Sequence, residues 1–256
     1  MKIHLITFAD GSENHIQAGI RFRSQASELN WFNSITIWNL ELIKKYDFNW
    51  HSSNEDFIKL NTRGCGFWLW KSKIIELSIL LTDPNDLVLY LDAGFEFNPY
   101  GKARLENYIA LANKHDFLAF YLNGNNYKII QWTKKFLLNS LNKNNYLNIL
   151  DQPQIEAGCV FFKNNQKSID FLNYWQEISI KNDYIYSNDV ISDDEDSNFI
   201  EHRHDQSILT LLLHKERHFG ITIRNENYFP HLWKIQSHPV ELPFAGVRNL
   251  SPHRIL

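Results

Sequence analysis

The sequence predicts an α/β fold in which a mostly parallel, Rossmann-like sheet is flanked by helices in a single domain of 256 residues. Three observations carry this expectation. Short apolar runs alternate with stretches of helical spacing, the pattern of βαβ units. The run Asp86-Leu87-Val88-Leu89-Tyr90-Leu91-Asp92-Ala93-Gly94 ends abruptly in a carboxylate, a small residue and a glycine. It reads as a buried strand with an acid at the carboxyl edge of the sheet, where open α/β sheets bind ligands. Hydrophobic residues make up 44% of the chain and charged ones 21%, which suits a packed core rather than disorder.

The elements follow in order. Residues 3–8 form a first buried strand, and Ala9-Asp10-Gly11-Ser12 supplies turn chemistry. Residues 15–30 are helical, 34–38 a second strand and 40–46 a short helix. Trp70, Ile74, Leu77 and Leu81 recur at helical spacing within 68–81, and Asp83-Pro84-Asn85 stops that helix. After the strand ending at Asp92, residues 104–114 are helical and 117–122 a strand. The Asn- and Lys-rich stretch 123–152 holds a helix over 133–141. Residues 155–162 read as another strand, 166–181 as an amphipathic helix and 205–215 as a further helix. The acidic stretch 188–198 reads as a solvated excursion or a lid. The prolines Pro230, Pro239, Pro243 and Pro252 mark a wrapping tail.

Composition excludes several functions. A net charge of −3 argues against a basic nucleic-acid surface. No apolar run reaches the roughly 18 residues of a membrane span, and the amino terminus lacks the pattern of a signal peptide. Cys65 and Cys159 are too few for a disulfide framework and have no metal-site spacing. The expected setting is a reducing cytoplasm.

Four patches carry residues suited to chemistry. At Asp92, with Ala93 and Gly94, an acid meets a ribose hydroxyl or a metal-bound phosphate, or else caps a strand end; Gly94 lets a bulky ligand approach the backbone. In Arg63-Gly64-Cys65-Gly66-Phe67-Trp68-Leu69-Trp70-Lys71, two glycines before a helix start leave N–H groups free for an anion. Arg63 and Lys71 add charge that would neutralise a departing diphosphate; simple packing of Trp68 and Trp70 is the alternative. Glu156, inside an otherwise apolar strand, is costly unless paired or facing a cleft. It is a candidate general base, nucleophile or hydroxyl acceptor, or else an edge acid paired with a lysine. In Glu201-His202-Arg203-His204-Asp205-Gln206-Ser207, Asp205 is either a helix N-cap or, with Gln206, a partner for sugar hydroxyls. The histidines offer a metal ligand or a bond to phosphate, although His-x-His alone does not define a zinc site.

Taken in order, Gly66-Phe67-Trp68-Leu69-Trp70-Lys71, Leu89-Tyr90-Leu91-Asp92-Ala93-Gly94, Glu156-Ala157-Gly158 and His204-Asp205-Gln206 resemble glycosyltransferases of the GT-A fold. The likeness is to small bacterial and viral sugar transferases that build surface polysaccharides, and it spans residues 1–215. It implies a nucleotide-sugar donor half at 1–122, and an acceptor half with the wrapping tail at 123–256. It implies that Phe8, Ala9 and Asp10 lie by the nucleotide base and that Asp92 takes the Asp-x-Asp position. Glu156 falls on the acceptor side, and Asp205 with Gln206 at the donor sugar. In an inverting reaction Asp205 or Glu156 would deprotonate the acceptor hydroxyl; in a retaining one the leaving phosphate takes that proton. The implied cofactor is a divalent cation, manganese or magnesium, on Asp92. The sequence departs from the motif in placing Gly94 where the second acid belongs. The implied partners are a nucleoside diphosphate sugar such as a UDP-sugar and a glycan or lipid-linked glycan acceptor, with the protein peripheral at the inner membrane face.

The same residues are compatible with two other functions. Asp92, Glu156 and Asp205 would supply the paired acids of a glycoside hydrolase, although that reaction needs no cationic clamp for a diphosphate. Eight tryptophans and an aromatic fraction of 14% would serve a non-catalytic carbohydrate-binding protein.

Overall fold

The computed structural model describes residues 1–122, 126–141, 149–215, 220–224, 242–246 and 253. Most of the expected wrapping tail after residue 215 lies outside them. The first elements are β1 (Ile3–Phe8), α1 (Glu13–Leu29), β2 (Ser34–Trp38), α2 (Leu40–Tyr46), α3 (Phe48–Leu60), α4 (Gly64–Phe67), α5 (Trp70–Leu80) and β3 (Leu87–Leu91). There follow β4 (Phe95–Phe97), α6 (Lys102–His115), β5 (Phe117–Tyr121), α7 (Ile129–Trp132), α8 (Lys135–Leu141) and β6 (Cys159–Lys163). The last are α9 (Gln166–Tyr184), α10 (His204–Lys215), β7 (Ile221–Arg224) and β8 (Phe244–Gly246).

Six strands form one sheet in the order β2-β1-β3-β6-β5-β7. The pairs β1–β2, β1–β3 and β5–β7 are parallel, and β6 runs antiparallel to both its neighbours. The sheet is therefore mostly parallel, with one reversed strand at its centre. β4 and β8 form a separate antiparallel pair.

Alternation along each strand sorts side chains to two faces. Leu87, Leu89 and Leu91 of β3 join Leu5, Phe22, Phe97, Tyr108 and Phe161 on the face covered by α1 and α6. Val88 and Tyr90 join Ile6, Trp70, Ile74, Val160, Trp175 and Ile208 on the face covered by α5, α9 and α10. Burial of each such side chain contributes about 1.5–3 kcal/mol. Asp92, two residues beyond Tyr90, inherits the second face.

Several elements depart from the sequence expectation. The helix expected from Trp68 begins at Trp70, because Gly64, Cys65, Gly66, Phe67 and Trp68 all have positive φ, between 50° and 87°. They form a left-handed turn, which costs about 1–2 kcal/mol at each non-glycine position. The strand expected over 155–162 is split. Ile155 makes an isolated bridge to Tyr121, a turn follows at Ala157 and Gly158, and β6 starts at Cys159. The helix expected over 133–141 is α8, which starts two residues later at Lys135, and a separate short helix, α7, precedes it and ends at Trp132. α3 was not expected, since its apolar residues are sparse; Asp47 caps it by accepting from the N–H of Trp50 at 2.9 Å.

Residues 188–198, read as a solvated excursion or lid, belong to a strap fastened along its length. The buried Lys134 ammonium donates to Asn188 O at 2.6 Å, Asn188 Oδ1 at 3.0 Å and Val190 O at 3.1 Å. Glu195 accepts from the N–H of Lys135 at the start of α8. Ile200 donates to Gln131 O and Arg203 to Trp132 O. His202 pairs with Tyr186 O at 2.9 Å and His204 with Ser187 O at 2.7 Å. This strap fixes where α10 begins, and with it Asp205.

Two predictions follow from these buried polar groups. Arg21 of α1 donates to Phe95 O at 3.1 Å and Ala93 O at 2.6 Å and lies 3.4 Å from Glu96, all out of solvent. Arg21→Ala is expected to destabilise the fold by about 3–5 kcal/mol in urea unfolding, since it removes the buried cation facing Glu96 and the donor to two carbonyls. The second concerns pH. Burial lowers the pKa of His202 well below 6.5 and pushes that of His204 down to about 4. Both are neutral when folded and protonate more readily when unfolded, so their contribution to stability falls as pH drops below 6.5. Burial raises Asp205 from 3.8 to about 6, which acts in the opposite direction between those values. Two histidines outweigh one carboxyl, so Tm is expected to fall between pH 7 and pH 5; a constant or rising Tm contradicts this assignment.

Candidate active site

Four segments converge at the carboxyl end of β3: the first turn of α5, the residues just after β3, the turn before β6 and the first turn of α10. Antiparallel register sets the meeting of β3 and β6. Tyr90 pairs with Val160 and Leu91 with Cys159, so Asp92 stands opposite Gly158, and its N–H donates to Gly158 O at 2.9 Å. A Cβ at Gly158 would lie 2.6 Å from Asp92 Oδ2 and 2.6 Å from Glu156 Oε1. Glycine is required there for the two carboxylates to approach. Glu156 is held by the N–H of Gly158, donating to its Oε1 at 2.8 Å, and donates its own N–H to Phe120 O.

Lys71 enters from α5. Its Nζ lies 2.7 Å from Asp205 Oδ2 and 3.6 Å from Asp92 Oδ1. The side chains of Lys71 and Asp205 are buried, at 3% and 8% exposed, whereas that of Asp92 is 43% exposed. Burial acts to lower the pKa of Lys71, but Asp205 and then Asp92 outweigh it and raise the ammonium above its ordinary value. Burial likewise pushes Asp205 up to about 6, against the pull of Lys71. Tyr90 Oη donates to Asp92 Oδ1 at 2.5 Å, and the Lys71 ammonium stands 5.1 Å over the Tyr90 ring. Burial, then Asp92, holds the Tyr90 hydroxyl well above its usual pKa and thus as a donor.

The remaining expected residues are placed as follows. Phe8 is buried and stacks on Trp70 with centroids 3.7 Å apart. Ala9 donates its N–H to Trp38 O. Asp10 accepts from the N–H groups of Gly11 at 2.7 Å and Leu40 at 2.8 Å. These three close the end of β1 on the side of α5. Ala93 gives its carbonyl to Arg21, and Gly94 continues that turn. Gln206 reaches Gln154, with its Nε2 3.5 Å from Gln154 Oε1. Arg63 bonds Glu201 and lies 3.6 Å from Asp189, and so joins the strap instead of the Lys71 cluster.

The glycine-flanked turn does not hold out N–H groups for an anion. Those of Cys65, Gly66, Phe67, Trp68 and Leu69 all donate to backbone carbonyls of residues 61–66. Sequence reasoning also missed Tyr90, although its signal was present: period two puts residues 90 and 92 on one face.

A divalent cation was expected at Asp92. Among the described residues no group of three His, Cys, Asp or Glu side chains forms a ligand set. Asp92 is the open carboxylate, with Glu156 beside it across the space a Cβ at Gly158 would fill. One or two carboxylates, completed by water and phosphate oxygens, is the set that magnesium takes, so these two residues fit such an ion. A cavity of about 300 Å³ lies elsewhere, at the amino end of β2, lined by Arg23, Asn30, Ser34 and Ile35 among others. Among the described residues no helix is long and apolar enough to cross a membrane, and both cysteines are free.

No protein-family model matches the sequence, and no curated protein does. Solved structures do resemble the fold. One is a glycosyltransferase involved in glycosylation of the major capsid of PBCV-1, at 11% identity, with 96% of this chain and 92% of that one covered and a TM-score of 0.52. Another is mouse xyloside xylosyltransferase 1 in its apo form, at 9% identity, with 92% and 90% covered and a TM-score of 0.49. The likeness to the first extends over nearly the whole of both chains, and the chain has a glycosyltransferase fold.

Proposed function

We propose that the chain transfers a sugar from a nucleoside diphosphate sugar, such as a UDP-sugar, to a hydroxyl of a glycan or lipid-linked glycan acceptor in surface polysaccharide assembly. One observation carries this reading. The carboxylates of Asp92, Glu156 and Asp205 converge at the carboxyl edge of a sheet whose fold is that of a glycosyltransferase. The donor binds toward residues 1–122, which supply Lys71 and Asp92. The acceptor binds toward residues 123–256, which supply Glu156 and Asp205. Two free thiols suit work in a reducing cytoplasm.

In this reading Asp205 takes the proton of the acceptor hydroxyl. Its pKa of about 6 lies near neutrality, where a general base works well. The acceptor oxygen bonds to the anomeric carbon as the bond from that carbon to phosphate breaks, and the diphosphate leaves with the electron pair. Asp92 and Glu156 would hold a manganese or magnesium ion, which supplies positive charge to the leaving diphosphate. Tyr90 orients Asp92 through its hydroxyl.

A thermal-shift panel of UDP, GDP and CDP, with and without manganese, tests the reading. A donor nucleotide at about a hundredfold its Kd is expected to raise Tm by about 5 °C or more. No shift with any of the three, together with sugar release from a simple glycoside, would favour the hydrolase instead. Asp92→Asn is expected to lower turnover at least about tenfold with the fold intact; unchanged turnover would remove Asp92 from the site. Turnover is expected to rise with pH through about 6 as Asp205 loses its proton, and Asp205→Asn to abolish that limb of the profile.

A further inference from the structure

We infer that Lys71 is a positioning residue: its ammonium holds the Asp205 and Asp92 carboxylates at a fixed separation and does not grip the donor's diphosphate. The inference rests on the sugar-transfer reading above and changes the part Lys71 plays in it.

A lysine that clamps a phosphate presents its ammonium to the cleft as a point charge. Lys71 does the reverse. Its side chain is 3% exposed, and Nζ is engaged at 2.7 Å by Asp205 and at 3.6 Å by Asp92. The aromatic face of Tyr90 covers it from a third side, 5.1 Å away. Asp92, at 43% exposed, is the member of the cluster that meets solvent, and the ammonium lies behind it.

Helix electrostatics point the same way. Lys71 is the second residue of α5, where the positive end of the helix dipole disfavours a cation. The two carboxylates offset that cost, so their positions and that of the ammonium are set together. One of them lies in the first half of the sequence and the other in the second. The bridge through Lys71 therefore fixes the group that meets the donor relative to the group that takes the acceptor's proton. Misplacing reacting groups by about 1 Å can cost a hundredfold in rate.

The test compares Lys71→Met and Lys71→Arg with the native chain, using UDP, GDP and CDP as binding probes. Lys71→Met is expected to lower kcat about a hundredfold while the Kd for the nucleotide that binds native protein changes less than about threefold. Lys71→Arg is expected to recover at least about tenfold in kcat, since it restores a charge at that position. A tenfold weaker Kd with kcat unchanged would overturn the inference in favour of a phosphate clamp. If Lys71→Met does not fold, the double variant Lys71→Met with Asp205→Asn, neutral at both positions, supports the same comparison of Kd.

A crystal structure of Lys71→Met without ligand gives a readout independent of any reaction. The Asp205 and Asp92 carboxylates are expected to leave their native orientations, and unchanged orientations would overturn the inference. If native protein binds no nucleotide and transfers no sugar, the sugar-transfer reading fails, and these orientations still decide the role of Lys71.

Discussion

An ammonium stays charged inside a protein only where carboxylates meet it, because withdrawing such an ion from water costs several kcal/mol. Lys71 is met by Asp205 and Asp92, and this small ionic core governs the architecture around it. It ties the start of α5 to the end of β3 and to the start of α10. Each of those elements is anchored elsewhere by apolar packing, so the charges are held by a scaffold that does not depend on them. The contact is short, and water is largely excluded from both partners of the closer pair. Its geometry is therefore far more sharply defined than that of the exposed pairs, such as Lys2 with Asp83 or Lys59 with Glu55, which solvent and salt screen.

The placing of the carboxylates follows from how strands pair. Asp92 shares a face with Tyr90 because strand side chains alternate, and it shares a cross-strand position with Gly158 because β6 runs antiparallel to β3. A side chain at position 158 would fill the space into which Asp92 and Glu156 both reach. The reversed central strand thus does what a second acid at position 94 would otherwise do in sequence: it brings another carboxylate to Asp92. The absent Asp-x-Asp partner and the present Glu156 belong to one local arrangement.

Around this centre the backbone takes unusual paths. Five successive residues, 64–68, have positive φ, and residues 182–184 do so again at the end of α9. The rings near these turns pack into one another: Tyr184 on Phe57, Phe57 on Phe67 and Phe67 on His204. That stack leads from the left-handed turns to the residue before Asp205. Such backbone costs free energy and persists only where its surroundings over-determine it. Here the strap pinned by Lys134, the aromatic stack and the Arg63 contacts with Glu201 and Asp189 provide that constraint.

Local chemistry in the sequence was enough to determine much of this protein. Alternating apolar runs located β1, β2, β3 and β5, turn residues placed Asp92 at the end of its strand, and the polar stretch before an apolar helix put Asp205 at the start of α10. Those signals work because period and capping are properties of adjacent residues. Tertiary structure alone decided the rest. The split of the 155–162 run reflects a turn that lets Glu156 face Asp92, and no local pattern distinguishes it from a continuous strand. The antiparallel place of β6 is a hydrogen-bond pairing between segments about 70 residues apart, which spacing cannot encode. Whether Lys71 faces solvent or two carboxylates, and whether the amides after Gly64 are free or bonded, depends on which groups the folded chain brings within a few ångströms. Burial and partnership, rather than residue type, set what those charges can do.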